Sequence, residues 1–523
     1  MRVCSTRRHV RWTTGLLRAS IMCMLGLILA EQAFAVPIFS RKYRTSCITC
    51  HAGFPKLNSV GEAFRRNGYQ FPGDDEVLVK DEPVPLGNDS YKDMFPNALW
   101  PNDIPHLPPV AFRMKLGYNQ FLDRQSGDSP TSDFQFPNDF SLLTAGTLGP
   151  NISWYGSMTL AGKGGHGGGG GHGGESGGGL EPDLERAFVQ FSNLFAWSDE
   201  DDDDGMRLGS RWIAVPRHLL NLRIGQFEPQ VIAPYASIHR QLGTTGRLPN
   251  VVTMGGNSFG FEPAQRGIEL HGTWRQNNSY AVGLVNGNGA EAAWDNNTQK
   301  DVYFRVARKW WGFPWDGEIG QAELVDDGSD DEGESEEPDE DEMPPMSLDF
   351  WREVQFETGF FGFFGRNEAS VTIEQEFDVA LVGSGSIPMT LSRTFVRPDR
   401  FERIGFDSRM QFQDLDIFGS WIWGWDRDPI SDEAPDLIER DRLFTWFVEA
   451  DYYFYPWLIG YGRYEQVSYG NDERQAENAI SRGVVGAAAY IRTNMRLVTE
   501  VVGDAQGNGT TGDTLNLLLD FAY

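Results

Sequence analysis

Two cysteines and a histidine near the start of the chain have the spacing of a cofactor-attachment motif. The segment from Cys47 to His51 reads Cys-Ile-Thr-Cys-His, and C-x-x-C-H in an exported chain is typical of covalent haem c attachment. Each cysteine would form a thioether with the haem, and His51 would bind the iron. A redox C-x-x-C pair or half of a zinc site is the alternative, but no second ligand pair and no thioredoxin-like βαβ pattern accompanies the motif. We therefore expect one covalent haem c held by Cys47, Cys50 and His51.

A second axial ligand would be a histidine or a methionine, because these residues set haem potential and ligand access. His106 and Met94 are the only such residues between the motif and the first predicted barrel strand. Each also has an ordinary interpretation, His106 as a linker residue and Met94 as a packing residue. A five-coordinate iron, or a ligand from inside the barrel such as His271, stays open.

The segment after the motif predicts a small helical unit. Leu57, Val60 and Phe64 have near-helical spacing, and Asn58 or Ser59 is a suitable N-cap. This pattern indicates a short amphipathic helix that covers one face of the haem. Residues 74–108 are rich in Pro and Asp, as in a wrapping loop or linker. We predict a minimal, partly helical cytochrome c domain with its linker over residues 36–108.

The first 35 residues have the order of a secretory signal peptide. Five arginines precede Ile21, an apolar run extends to Ala30, and Ala33-Phe34-Ala35 follows. A retained anchor is the alternative, but the apolar run is too short to span a bilayer. Cleavage would remove five Arg and one Glu and move the formal charge from −29 to about −33. So acidic a chain excludes nucleic acid as an obvious partner.

The rest of the chain, residues 109–523, alternates between apolar and polar side chains. Lipid-facing residues of a membrane barrel recur at every second position, opposite a polar lumen. One predicted outward face comprises Leu415, Ile417, Gly419, Trp421, Trp423 and Trp425, opposed by Asp416, Ser420 and Asp426. Another comprises Phe444, Trp446, Val448, Ala450, Tyr452 and Phe454, opposed by Thr445, Glu449 and Asp451. A soluble sandwich or propeller also alternates, but would rarely set its tryptophans opposite so many charges.

The chain end favours the membrane interpretation. Alternating apolar residues finish on the terminal aromatic Tyr523, which resembles the assembly signal of outer-membrane barrels. The length from Val110 onward suits about 14 to 18 strands, with about sixteen as the central value. The predicted fold is therefore mainly β: a large antiparallel transmembrane barrel in the outer membrane of a Gram-negative bacterium, its lumen holding water or a folded insert.

Three inserts lack strand character and are predicted to be extracellular loops, because long loops of such barrels face outside. They cover residues 162–180, 198–206 and 324–346. The first is rich in Gly and contains His166 and His172, and the other two are acidic. The acidic runs could serve solubility or could bind calcium that bridges them to the lipopolysaccharide surface. A more specific hypothesis is that the carboxylates and imidazoles of these inserts bind Fe(II).

Taken together, the signal peptide, the single C-x-x-C-H, the segment FPKLNSVGEAFRRNGYQF and the barrel resemble the fused monohaem cytochrome-porins of iron-oxidising bacteria. The specific match covers about residues 39–72, where Cys47, Cys50 and His51 match residue by residue. The resemblance implies an outer-membrane Fe(II) oxidase, with a barrel of about sixteen strands and the haem domain in or at the pore.

Two functions from different classes follow. In the first, the protein lies in outer-membrane lipid and passes electrons from an extracellular donor through one haem to a periplasmic cytochrome. Fe(II) is the most direct donor, and a donor other than iron is an alternative. In the second, the barrel is a transport porin whose haem domain gates or senses. Charged lumen residues would then set ion selectivity: Arg275, Arg305 and Lys309, opposite Glu449 and Asp451.

Overall fold

The computed structural model describes most of the chain after the predicted signal peptide. The residues described are 38–71, 78–80, 93–95, 109–122, 132–149, 151–162, 183–194, 205–208, 211–214, 216–251, 257, 259–287, 295, 298–317, 354–380, 386–427, 441–470, 479–506 and 511–523. The predictions for residues 1–35 lie outside this part. Those for residues 74–108 and for the three inserts lie largely outside it.

Sixteen antiparallel strands close into one barrel, as the alternation predicted. The last barrel strand in the sequence pairs with the first, so the sheet has no free edge. The barrel strands are β3 (Val110–Phe121), β4 (Ser132–Thr147), β5 (Ile152–Gly162), β6 (Asp183–Phe191), β9 (Asn221–Phe227), β10 (Gln265–Trp274), β11 (Asn278–Val285), β12 (Asp301–Trp311), β13 (Gln355–Ala380), β14 (Ser386–Phe412), β15 (Leu415–Asp426), β16 (Asp441–Tyr455), β17 (Leu458–Tyr469), β18 (Ile480–Arg492), β19 (Met495–Gln506) and β20 (Thr511–Ala522). A separate hairpin, β7 (Gly205–Leu208) with β8 (Arg211–Ala214), lies between β6 and β9 in sequence.

The two faces of the barrel wall differ as the sequence predicted. Asp416 and Asp426 on β15 are fully buried in the interior, whereas Trp423 on the same strand is exposed on the outer surface. On β12, Arg305 faces inward and Val306 faces outward. An apolar outer surface and a charged inner one are what a barrel spanning lipid requires. The fold is a transmembrane β-barrel.

The outer surface gives a first testable prediction. Val306 lies in the middle of β12 with 49% of its surface exposed. Replacing Val306 with Arg is expected to destabilise the barrel by about 2–4 kcal/mol, because the guanidinium must enter the hydrocarbon region. Urea unfolding in lipid vesicles measures this change, with Val306→Leu as the matched control. Equal stabilities of the two variants would contradict a lipid-facing position.

The two ends of the barrel are distinguished by their connections. At one end, here the turn end, β10–β11, β14–β15, β16–β17 and β18–β19 are joined by two or three residues. The opposite end, the loop end, carries the connection from β5 to β6, which contains residues 162–180. The three inserts themselves lie largely outside the described residues, so their extracellular position stays a prediction.

The N-terminal module, residues 38–71, precedes the barrel. It contains helix α1 (Ile38–Tyr43), a 3-10 helix (Cys47–Thr49), the short hairpin of β1 (His51–Gly53) and β2 (Lys56–Leu57), and helix α2 (Ser59–Arg66). Helix α2 begins where the sequence predicted, because the Asn58 side chain accepts a hydrogen bond from the Gly61 amide at 2.9 Å. Val60 and Phe64 form its buried face. Within the described part of the chain, no helix is long and apolar enough to cross a membrane.

A second element folds into the barrel and was not predicted. Residues 228–264, here the lumen segment, connect β9 to β10 through two 3-10 helices (Pro234–Ala236 and Ile238–Arg240) and helix α3 (Leu248–Val251). Its apolar side chains join those of the inner wall: Phe259 and Phe261 pack with Phe363. The barrel interior therefore contains packed protein. The sequence analysis gave a folded insert as one of two possible contents of the lumen, the other being water.

Candidate functional site

The C-x-x-C-H loop is fixed to helix α2 by a single side chain. Asn58 donates from Nδ2 to the carbonyl oxygens of Ile48 at 3.2 Å and Thr49 at 3.0 Å. The Asn58 backbone amide donates to the Cys50 carbonyl at 3.0 Å. The same residue caps α2, so the helix and the loop that carries both cysteines are held as one unit.

Gly61 allows this close approach of loop and helix. A Cβ atom at Gly61 would lie 2.0 Å from the Cys50 carbonyl oxygen, so any side chain would push the loop away. We expect Gly61→Ala to lower covalent haem content several-fold, because both thiols would move from their positions. The haem-to-protein ratio measures this effect. Gly462→Ala, where a Cβ meets no atom within 4 Å, is the matched control, and an equal haem content in both variants would contradict the account.

The ring of His51 is oriented by the hairpin that follows it. Its Nδ1 lies 3.3 Å from the Pro55 carbonyl oxygen, so Nδ1–H donates there and Nε2 is left for a metal. Metal-bound histidines are commonly oriented in this way. Burial is the main cause that lowers the pKa of His51 to about 4. The imidazole is therefore neutral at physiological pH, which is the form that binds iron.

The two thiols do not have the character of a redox pair. Cys47 and Cys50 form no disulfide in the structure. Burial, with a smaller effect of Cys47, raises the pKa of Cys50 to about 12. A reactive redox cysteine requires the opposite shift. The loop, the oriented histidine and the neutral Cys50 thiol fit the attachment of a c-type haem.

The N-terminal module is held to the inner wall by a buried cation. Lys56 Nζ lies 2.5 Å from a carboxylate oxygen of Asp416 on β15 and 2.5 Å from one of Asp451 on β16. Arg409 on β14 pairs with the same Asp416 at 2.9 Å and with Glu62 of the module at 3.2 Å. All of these charges are shielded from solvent, so each depends on its partners.

Hydrogen bonds attach the module to the wall in other directions. Ser59 donates to Gln355 on β13 at 2.6 Å, and Tyr490 on β18 donates to the Phe54 carbonyl at 3.0 Å. Gln190 on β6 donates to the Arg66 carbonyl at 2.9 Å. The module therefore contacts strands on several sides of the barrel.

The lumen segment is anchored to the same wall by separate contacts. Arg247 pairs with Glu449 at 2.8 Å, the Leu248 amide donates to Glu465 at 2.8 Å, and Thr244 donates to Glu500 at 2.6 Å. Glu449, which the sequence assigned to an open pore, is thus engaged in an internal contact, as is Asp451 through Lys56.

Three other residues were predicted to line the pore, and two of them also make internal contacts. Arg305 pairs with Asp407, and Lys309 donates to the Phe313 carbonyl at 3.0 Å. Arg275 was predicted to face the lumen, but it lies in the exposed turn between β10 and β11 with a positive φ of 51°. That prediction was wrong because β10 ends at Trp274, one residue before Arg275.

A cavity of about 400 Å³ lies between the lumen segment and the inner wall. Its lining includes Arg113 of β3 and, from the lumen segment, residues 238–239, 241 and 243–245. Arg113 covers the Phe54 ring at 4.9 Å, and that ring lies 5.5 Å from the ring of His51. Arg113 thus links the cavity lining to the N-terminal module, but Cys47, Cys50 and His51 are not part of the lining.

The other candidate ligands lie elsewhere. Met94 is 71% exposed, and His106 lies outside the described residues. His271 is fully buried on the inner face of β10, and neither ring nitrogen has a hydrogen-bond partner among the residues described. It does not line the cavity. Within the described part of the chain, no group of three or more His, Cys, Asp or Glu side chains could hold a metal ion by itself.

Comparisons with known proteins give similarity only to solved barrel structures. No family model and no curated protein matches the chain. The outer membrane channel DcaP of Acinetobacter baumannii is 9% identical, with a TM-score of 0.40, over 79% of this chain and 96% of that one. An anion-selective porin of Comamonas acidovorans is 9% identical, with a TM-score of 0.42, over 79% and 98%. OmpT of Vibrio cholerae is 8% identical, with a TM-score of 0.41, over 79% and 97%. At such low values, nothing about function is inferred from these similarities.

Proposed function

We propose that this protein is an outer-membrane electron-transfer protein that carries one covalent haem c inside its barrel. Cys47 and Cys50 would hold the haem, and His51 would bind its iron. The observation that carries the proposal is the C-x-x-C-H loop in a module that is bound to the inner wall through Lys56, Asp416 and Asp451. When bound, the haem supplies a one-electron couple.

The position of the loop matters because of the thickness of the membrane. The apolar band of such a barrel is about 25 Å tall, and a haem outside the barrel would leave most of that distance without an electron carrier. The inner wall and the lumen segment would exclude water around the site, and the nearby charges of Arg113 and Arg496 would influence the potential. Neither role requires an open pore.

The proposed direction of transfer uses the difference between the two ends of the barrel. Outer-membrane barrels have short periplasmic turns and long extracellular loops, so the turn end would face the periplasm. An extracellular donor, most directly Fe(II), would then approach from the loop end. A soluble periplasmic cytochrome would accept the electron at the turn end. Oxidation outside the cell avoids importing a metal whose oxidised form precipitates.

Absorption spectroscopy tests this proposal directly. Purified, oxidised protein in detergent is mixed anaerobically with Fe(II) at acidic and at neutral pH. We expect sharp bands of reduced haem within seconds. A haem that dithionite reduces but Fe(II) does not would overturn Fe(II) as the donor, and a protein without any covalent haem would overturn the cofactor assignment.

A porin is the second candidate function. The closed sixteen-stranded barrel with charges along its inner wall favours it, because such charges set ion selectivity in pores. The N-terminal module would then act as a gate. Conductance in planar bilayers separates the two functions: a large steady conductance of the intact protein would support the porin, and a closed barrel would support electron transfer.

A further inference from the structure

We infer that the barrel interior contains a binding site for a small oxyanion, located where helix α2 ends beside the buried His271 of β10. Its main residues are Arg65 and Arg66, the last two residues of α2. The site includes no residue of the C-x-x-C-H motif, so the inference goes beyond the proposed function and does not depend on the haem.

The end of helix α2 lies against neighbouring strands of the inner wall near the turn end. Gln190 on β6 donates to the Arg66 carbonyl at 2.9 Å, and Arg223 on β9 donates to the same Gln190 side chain at 2.9 Å. The next strand is β10, which pairs with β9 and carries His271 on its inner face. Among the described residues, the charged groups within electrostatic range of His271 are these two arginines and Arg65, with no carboxylate. The imidazole therefore lies in a cationic part of the lumen.

The two guanidinium groups of α2 form no ion pair with the described part of the chain. The Nε atom of each is buried and has no hydrogen-bond acceptor there. Arg66 is 5% exposed and lies over the Trp315 ring at 4.6 Å. Burial lowers the pKa of Arg65 to about 9 and that of Arg66 to about 10, so both remain charged at neutral pH. A buried cation without a counter-charge is unfavourable, and a bound anion would supply that charge.

The carboxylates within electrostatic range of Arg65 or Arg66 are engaged with other cations. Three of them form ion pairs with other arginines: Glu62 with Arg409 at 3.2 Å, Glu228 with Arg240 at 2.8 Å and Glu269 with Arg223 at 3.0 Å. The fourth, Glu357 on β13, lies opposite Lys309 of β12 in the strand register. The protein therefore provides partners for its other lumen arginines but not for these two.

Hydrogen-bonding groups around the arginines define the kind of anion. Both ring nitrogens of His271 are buried without a partner among the described residues, as are Nδ2 of Asn221, which lies opposite His271 on β9, and Nε1 of Trp315. Water could satisfy such groups, but it could not balance the charge of two guanidinium groups. An oxyanion does both, because it has several acceptor lone pairs and matches the fork of an arginine. The site therefore fits a small oxyanion, for which inorganic phosphate is a suitable probe.

Isothermal titration calorimetry with inorganic phosphate tests the inference. The full-length protein as purified, in detergent and chloride buffer at pH 7, is titrated at constant ionic strength. We expect one phosphate to bind per chain and sulfate to displace it. Arg66→Gln and Arg65→Gln should each weaken phosphate binding about tenfold or more, the loss expected when a charge-assisted hydrogen bond is removed. Arg44→Gln, which removes an exposed arginine of the same module, is the matched control and should bind phosphate like the unaltered protein.

Heat-modifiable migration in gels shows whether each variant retains the barrel, and Arg65, which is only partly buried, provides a second variant beside Arg66. Phosphate should also raise the unfolding temperature of the unaltered protein and of Arg44→Gln, but not that of Arg66→Gln. Absence of phosphate binding by the unaltered protein would overturn the inference, as would equal affinities in Arg65→Gln, Arg66→Gln and the control. A protein that binds phosphate but contains no covalent haem would overturn the proposed function and leave this site in place.

Discussion

The double variant Cys47→Ala with Cys50→Ala is expected to contain no covalent haem and yet to fold into an intact barrel. Both thioether bonds require these thiols, and neither cysteine contributes a disulfide or an ion pair to the fold in the described structure. The N-terminal module is attached to the wall through other residues, above all Lys56 and Ser59. Haem-dependent absorption of the denatured protein measures the cofactor, and heat-modifiable migration in gels measures the barrel.

Ile48→Ala is the matched control for the double variant. Ile48 belongs to the same loop, but 45% of its side chain is exposed, so its truncation should leave haem content unchanged. Covalent haem in the double variant would show that attachment occurs elsewhere. Loss of the folded barrel in the double variant would show that the cysteines have a structural role that the account does not include.

Replacing Lys56 with Met is expected to release the N-terminal module and to open the barrel to ions. The substitution leaves Asp451 buried without its cation and removes one of two cations from Asp416. Breaking a buried ion pair in this way costs about 3–5 kcal/mol, enough to detach a small module. Single-channel conductance in planar bilayers measures the opening, and limited proteolysis of residues 38–71 measures the release.

Lys42→Met is the appropriate control for this substitution. Lys42 also belongs to the module, but it contacts the neutral hydroxyls of Tyr43 and Thr147 at 2.8 and 3.3 Å. Its loss leaves no buried carboxylate behind at these contacts. Equal conductance and equal protease resistance of the two variants would contradict the role of the Lys56 cluster as an anchor.

The barrel could be predicted from the sequence because its main determinant is local. Each strand must alternate between lipid and lumen, so Asp416 beside Leu415, or Glu449 beside Val448, already assigns the faces. The cap of helix α2 at Asn58 depends on a residue only three positions away. The identity of the attachment motif is likewise contained within the five residues Cys47 to His51.

The interior could not be predicted, because its contacts join distant parts of the chain. Arg247 and Glu449 are 202 positions apart, and nothing in the sequence near either residue indicates the other. The lumen segment therefore resembles an ordinary loop rich in Pro and Gly in the sequence, although it packs inside the barrel against part of the inner wall.

Transfer of electrons across a sealed membrane tests the central claim most directly. The protein is incorporated into lipid vesicles that enclose an oxidised soluble cytochrome c, and Fe(II) is added outside under anaerobic conditions. We expect the enclosed cytochrome to be reduced with the haem-containing protein and to stay oxidised with the Cys47→Ala, Cys50→Ala variant, while neither kind of vesicle releases a trapped small dye. An enclosed cytochrome that stays oxidised with the unaltered protein, or that is reduced equally through the haem-free barrel, would contradict it.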